Sequence, residues 1–173
     1  FYGFMPKKEL PSFNNLLNSN WDYVYNYLFK KTSSEYISEE ITIQSFSKAF
    51  NKIHTYNPKY NFKTWLISIA KNNYSDFLRK KKILFNDLSN QKIENIVSEL
   101  NPEQNMINKE NYDSLNLKID ELKPMYRDNI KYRYIDDLSI QDISNKLSQP
   151  VNTVKIKIFR AKKLLSERLS END

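Results

Sequence analysis

The stretch TVKIKIFRAKKLL, Thr153 to Leu165, read with LSIQDISNKLSQP, Leu138 to Pro150, sets the interpretation of the whole chain. Val154, Ile158, Ala161 and Leu165 recur at helical spacing and predict a stripe that faces a core. Lys155, Lys157, Phe159, Arg160, Lys162 and Lys163 fall outside that stripe, so the helix carries cations and no acid. Ile140, Ile143 and Leu147 mark a shorter helix ahead of it, with Ser139 placed as its N-cap and Asp142 three residues on. Ser148, Gln149 and Pro150 interrupt the pattern, and Asn152 is placed to cap the next helix. A short helix, a tight turn and a basic second helix form the helix-turn-helix layout, in which the second helix enters the major groove. The competing reading is a solvated amphipathic helix; turn, caps and one-sided charge agree on the first.

Composition narrows the function classes. The 173 residues suit one domain or two small ones, and 39% hydrophobic with 28% charged residues describes a globular chain. The 12 Tyr, 10 Phe and 2 Trp supply much of the core, while 1 Gly and 6 Pro disfavour hairpin-rich β folds. A net charge of +6 points to a polyanionic partner. With no Cys and a lone His54, thiolate metal sites and His clusters have no donors, so no metal or cofactor is expected. A single Gly3 removes Gly-rich phosphate loops. Binding, not catalysis, is the expected class. No run of 18 apolar residues predicts membrane insertion, and FYGFMPKKEL lacks the order of a signal peptide.

Along the chain the hydrophobic spacing is helical. Trp21, Val24, Tyr25 and Leu28 predict a helix after the caps Ser19 and Asn20. Ile43, Phe46, Phe50 and Ile53 predict a second from about Ser38 to Thr55, ended by Tyr56–Asn57–Pro58. A third is expected over Phe62 to Lys81, with Leu66, Ile69, Ala70, Asn73 and Phe77 inward. Asn86 to Pro102 reads as a polar linker. Met106, Leu115, Ile119 and Leu122 open a second unit, and Pro124 suits the first turn of the helix that runs through Ile130 to Tyr134.

A second constellation spans Tyr56 to Lys82, where aromatics alternate with Lys59, Lys63, Lys71, Arg79, Lys80, Lys81 and Lys82 against the one acid Asp76. Single strands are held by ring platforms and a basic channel, each stacked base contributing roughly 1–3 kcal/mol. Trp65, Phe62 and Phe77 fit a core better than a platform, whereas Lys71, Asn72 and Arg79 beside the core stripe suit nucleotide contact.

Glu39–Glu40, then FSKAF (Phe46 to Phe50), NFKTWLISIAKN (Asn61 to Asn72) and RKKK from Arg79 resemble region two of a group IV, extracytoplasmic function, sigma factor of bacterial RNA polymerase. LSIQDIS from Leu138, Pro150 and TVKIKIFRAK from Thr153 resemble its region four. The likeness runs from about Val24 to Leu165. It departs at Ile43, where glutamine is usual, at Glu40 for aspartate, at Ser148 and Asn152 for the glycines of the turn, at Asp142 for the acid of the first helix, and at Ile156, where a small polar residue is usual. The last departure implies an altered base preference.

The resemblance implies an all-α chain of two small helical domains, region two over 10–85 and region four over 104–170, joined by a flexible linker over 86–103. It implies a non-enzymatic cytoplasmic subunit that directs core RNA polymerase to promoters and helps melt the minus-ten element. Glu39, Glu40, Phe46 and Phe50 would dock on the polymerase clamp helices, with the flap as a second contact. Lys63, Lys71, Asn72, Asp76, Arg79 and Lys80 would hold the single-stranded minus-ten element, with Asn72 reading a flipped base. Asn152, Thr153, Lys155, Ile156, Phe159 and Arg160 would read the minus-thirty-five duplex. An anti-sigma factor or a DNA-bound recruiting protein would be a further partner. The alternatives are a helix-turn-helix regulator with an N-terminal sensor or oligomerisation domain, discriminated by a pocket in the first unit, and a helical protein adaptor with no DNA role.

Overall fold

The structure, a computed structural model, describes residues 12–88 and 114–171. The linker from residue 89 on, and Met106, lie outside the described residues. Every regular element described is helical: α1 (Phe13–Thr32), α2 (Glu35–Asn51), a short 3-10 turn (Ile53–Thr55), α3 (Phe62–Leu88), α4 (Ser114–Asp120), α5 (Pro124–Tyr134), α6 (Ile140–Leu147) and α7 (Val151–Ser170).

Leu17, Trp21, Val24 and Leu28 form the buried stripe of α1, which begins earlier than expected. Ser12, not Ser19 or Asn20, is the N-cap, its hydroxyl accepting from Asn15 N–H. Leu16 and Leu17 extend the apolar period by one turn, so Asn20 falls inside the helix and donates to Leu16 O at 2.8 Å. Ser33 ends α1 in the left-handed region at φ 52°, and Ser34 caps α2 at once, folding the two helices back on each other.

The central element is α2. Ser38, Glu39, Ile41, Thr42, Ile43, Ser45, Phe46, Ser47 and Ala49 are all buried, so the helix is covered on most sides, with Gln44, Lys48 and Asn51 left as its exposed edge. Its small hydroxyl side chains make that tolerable. Ser38, Thr42 and Ser45 each donate to the carbonyl four residues back, at 2.6 Å, which leaves no buried hydroxyl unsatisfied on that ladder. Phe46 stacks on Trp21 at 5.8 Å. On the α3 side, Asn73 donates to Ser45 Oγ at 3.0 Å and accepts from Lys48 Nζ at 2.5 Å. The inner face of α3 is as expected, Leu66, Ala70 and Asn73 being buried, but the helix continues to Leu88.

In the second unit Ile119, Leu122, Tyr126 and Ile130 join Ile143, Val154, Ile158, Ala161 and Leu165. Leu115 is exposed, against expectation, because α4 is only seven residues long and turns Ile119 inward. Pro124 occupies the first turn of α5. The buried apolar side chains of both units form one continuous cluster, because α7 packs on α2 as well as on α5 and α6. The two small helical domains expected of the chain are both present, and among the described residues a shared seam joins them.

Candidate nucleic-acid interface

The helix-turn-helix is built as its sequence predicts. Ser139 Oγ accepts from Asp142 N–H at 3.1 Å and lies 2.6 Å from the Asp142 carboxylate. Ser148 takes the left-handed conformation at φ 51°, where glycine is favoured, and Ser144 Oγ donates to Gln149 O across the turn. Asn152 does not cap α7. The helix starts at Val151 with Pro150 as the N-cap, at φ −57° and ψ 145°, and no side chain caps it. Asn152 Nδ2 instead donates to Asn51 Oδ1 on α2, at 2.8 Å.

That bond is the first of a row along α7. Thr153 Oγ1 and Ser47 Oγ lie 3.2 Å apart. Lys157 Nζ sits 4.0 Å from Glu40. The Arg160 guanidinium lies over the Trp21 ring at 4.2 Å. Lys163 Nζ donates to Asn18 Oδ1 at 2.8 Å. Thr153, Ile156, Lys157 and Arg160 share one helical face by their three- and four-residue spacing. Ile156 on that face is fully buried and Lys157 is 5% exposed. The proposed duplex-reading face is therefore split: Lys155 is in solvent and Phe159 half-buried, while Thr153 and Ile156 are covered and Arg160 is stacked on a ring. The expectation that Lys157 lies on a free basic surface, and that Ile156 faces DNA, does not describe this state. α7 buries two faces: the stripe 154, 158, 161, 165 and the stripe 153, 156, 157, 160.

The other side of the seam is the acidic end of α2. Lys123, just ahead of α5, donates to Glu39 Oε1 at 2.9 Å and approaches Glu35 at 3.8 Å. Tyr126 Oη donates to Glu39 Oε2 at 3.4 Å. Burial first, and the Glu39 carboxylate second, push the Tyr126 hydroxyl well above its ordinary pKa. Burial holds the Lys157 ammonium below the ordinary lysine value, with Glu40 offsetting part of that cost. Of the four side chains expected to form a polymerase-docking face, Glu39 and Phe46 are buried and Glu40 and Phe50 are partly covered. Glu39 is 9% exposed and paired, Glu40 faces Lys157, Phe46 is core, and Phe50 is half-buried against Phe13 at 3.9 Å between centroids. A cleft of about 950 Å³ lies at this seam, with Glu40, Phe77, Lys123 and Lys157 in its wall.

The face of α3 contrasts with both. Lys63, Lys71, Asn72, Arg79 and Lys80 are exposed. At 100° per residue, Asn72, Asp76, Arg79 and Lys80 share one side; Lys71 lies about a quarter-turn away and Lys63 half a turn round, so the expected group divides. Lys63 instead lies 5.1 Å from the Tyr23 ring. Arg79 pairs with Asp76 at 2.5 Å, and Lys48 approaches the same carboxylate at 3.9 Å. At the start of α3, Tyr56, Phe62 and Trp65 pack ring to ring at 5.2–5.6 Å, Phe62 and Trp65 being half-buried against the core. Tyr60 beside them is 70% exposed and went unnoticed in the sequence, although it follows Pro58 in an Asn-Pro turn where a ring is readily left outside. Ser47 and Lys123 carry no signal in the sequence, and Trp21 and Lys157 read there only as a core position and a surface cation. Only the fold brings them together.

The family described as Sigma-70 region 2 matches residues 16–83, and the family described as Sigma-70, region 4 matches residues 112–165. The ECF RNA polymerase sigma factor SigW of Bacillus subtilis is 28% identical over 95% of this chain and 92% of that protein. The ECF sigma factor SigE of Mycolicibacterium smegmatis is 24% identical, over 94% of this chain and 63% of that protein. A solved complex of the sigma factor RpoE with the anti-sigma factor NepR from Bartonella quintana is similar at a TM-score of 0.42 and 20% identity, covering 91% of this chain and 96% of that one.

Proposed function

The chain belongs to the sigma-70 family, in its extracytoplasmic function group, and from that premise we propose how its parts divide the work. It is an alternative sigma factor, a non-enzymatic subunit that directs RNA polymerase to promoters; core polymerase and promoter DNA are its partners. Among the described residues no helix is long and apolar enough to cross a membrane, and the cytoplasm is the proposed site of action.

The proposed assignment gives α2, through Glu39 and Glu40, the polymerase contact. Phe46 and Phe50 support that face from within and are not themselves contact residues. The solvent-facing side of α3, with Asn72, Arg79 and Lys80 and with Lys71 at its margin, takes the unwound minus-ten strand, Asn72 receiving a base. Lys155, Phe159 and Arg160 on α7 read the minus-thirty-five duplex, with Asn152 and Thr153 at the helix entry. An anti-sigma factor or a recruiting protein would act by changing access to these faces. The observation that carries the reading is the order of parts: an exposed basic face on α3 and a capped, left-handed-turn helix-turn-helix, one in each matched region of the same chain. A regulator with a sensor domain would need a pocket inside the first unit, whereas the cleft walled by Glu40, Phe77, Lys123 and Lys157 lies at the seam.

Co-purification with core RNA polymerase, followed by transcription from a promoter library, tests this. The expected result is a stable complex that initiates at a discrete set of promoters. A folded chain that neither binds core polymerase nor supports initiation would contradict it.

A further inference from the structure

We propose that the cleft between the start of α1 and the outer side of α7 binds a nucleoside polyphosphate, its phosphates on Lys155, Lys162 and Lys163 and its base against Phe13 and Phe159.

The cleft holds about 710 Å³, within the roughly 300–1,000 Å³ usual for small-molecule sites. Two helices wall it. Lys155, Phe159, Lys162 and Lys163 follow at three- and four-residue spacing and share one side of α7. Asn14, Asn15 and Asn18 line it from α1. Lys163 Nζ donates to Asn18 Oδ1 at 2.8 Å, which ties the two walls together.

The charge of the lining is one-sided. Three ammonium groups border the cleft and no carboxylate does. None of the three lysines makes an ion pair among the described residues. Lys162 lies 4.9 Å from the Tyr134 ring and Lys163 meets an amide oxygen, and neither neighbour cancels a full charge. Like charges gathered on one helix side repel until an anion comes between them. A polyphosphate supplies several negative charges in a small volume, and lysine is a common phosphate binder.

The rings choose among anions. Phe13 sits on Phe50 at 3.9 Å between centroids, and Phe159 packs against the core, so both are half-buried while still lining the cleft. An aromatic face stacks on any base, whereas a bare phosphate chain gains nothing from it. The exposed amides of Asn14 and Asn15 add donors and acceptors for a base edge or a ribose. A bound nucleotide would cover Lys155 and Phe159, the residues proposed to read the duplex. Nucleotide and minus-thirty-five duplex are then expected to exclude each other, a consequence that rests on the proposed function although the binding itself does not.

Calorimetric titration of the full chain with ATP, GTP, tripolyphosphate and adenosine at physiological ionic strength tests the site. One ATP or GTP is expected per chain, at least tenfold tighter than tripolyphosphate, with adenosine weaker still. Phe13→Leu keeps an apolar contact on Phe50 but removes the ring, and should bring ATP down to the tripolyphosphate level. Asn14→Asp with Asn15→Asp sets two carboxylates in the first turn of α1, where acids suit the helix. That pair should leave the thermal midpoint unchanged and weaken ATP at least tenfold, so it serves should the Phe13 variant not fold. Absence of saturable ATP binding would overturn the site. So would tripolyphosphate binding as tightly as ATP, or an unchanged affinity in the folded aspartate pair. A chain that binds ATP in this way but never binds core polymerase would instead take down the proposed function and leave the nucleotide site standing.

Discussion

Two basic helical surfaces of this protein are made of similar material and end in opposite situations. On α3, Lys71, Asn72, Arg79 and Lys80 stand in solvent. On α7, Thr153, Ile156 and Lys157 lie against α2, and Arg160 lies on Trp21. The chemistry of a face is local and follows from residue type and spacing. Whether the face is free depends on what a distant element offers it. α2 offers α7 a strip of hydroxyls and carboxylates; α3's outer side runs past the edge of the packed helices.

Removing the common support should give the largest effect. Phe46 is fully buried against Trp21, so Phe46→Ala should destabilise the fold by about 3–5 kcal/mol in denaturant unfolding. A cost below about 1 kcal/mol would mean that α2 is not the shared core between the two faces.

The seam itself comes next. Lys157→Glu sets a second carboxylate beside Glu40 and should shift the chain toward the open state by about 2 kcal/mol, read as a larger radius in small-angle scattering. Lys157→Met should stay closed, because it removes a buried charge at similar volume. If the methionine opens the chain as far as the glutamate does, the ion pair and not packing holds the seam.

On α7 alone, with core polymerase present, Arg160→Ala should narrow the gap between promoter and scrambled duplex by about 1–3 kcal/mol, the worth of a bidentate guanine contact. Lys162→Ala should weaken both duplexes about equally and lower the salt slope by about one. Identical behaviour of the two variants across a salt titration would reduce the helix to a plain basic surface.

The smallest effect on folding belongs to the open face. Asn72→Ala should change stability by less than about 0.5 kcal/mol, since the residue is exposed, yet impair strand melting in permanganate footprinting. Unchanged melting would remove the base-reading role from α3.

Much of this was legible in the sequence. The stripes 66–70–73 on α3 and 154–158–161–165 on α7, the Ser139–Asp142 cap and the Pro124 start follow from rules that act within a few residues. Helix starts were read less well. Ser12 outcompetes Ser19 because Leu16 and Leu17 prolong the stripe, and α7 starts after Pro150 with no side-chain cap, Asn152 bonding to Asn51 instead. The seam was not legible. Ile156 looks like a departure on a DNA face until α2 covers it, and Lys157 looks like one more solvated cation until Glu40, over a hundred residues earlier, meets it. Both require a contact between elements that no periodicity encodes.

The most direct test is a distance across the seam. Spin labels at Lys52→Cys and Lys155→Cys, both exposed positions in a cysteine-free chain, report how α7 sits on α2. One short, narrow distance is expected in the free chain, replaced by a longer one when core RNA polymerase is bound. A broad distribution already present in the free chain would contradict the packing of α7 on α2, and the short distance kept in the polymerase complex would contradict the proposed use of Arg160 in duplex reading.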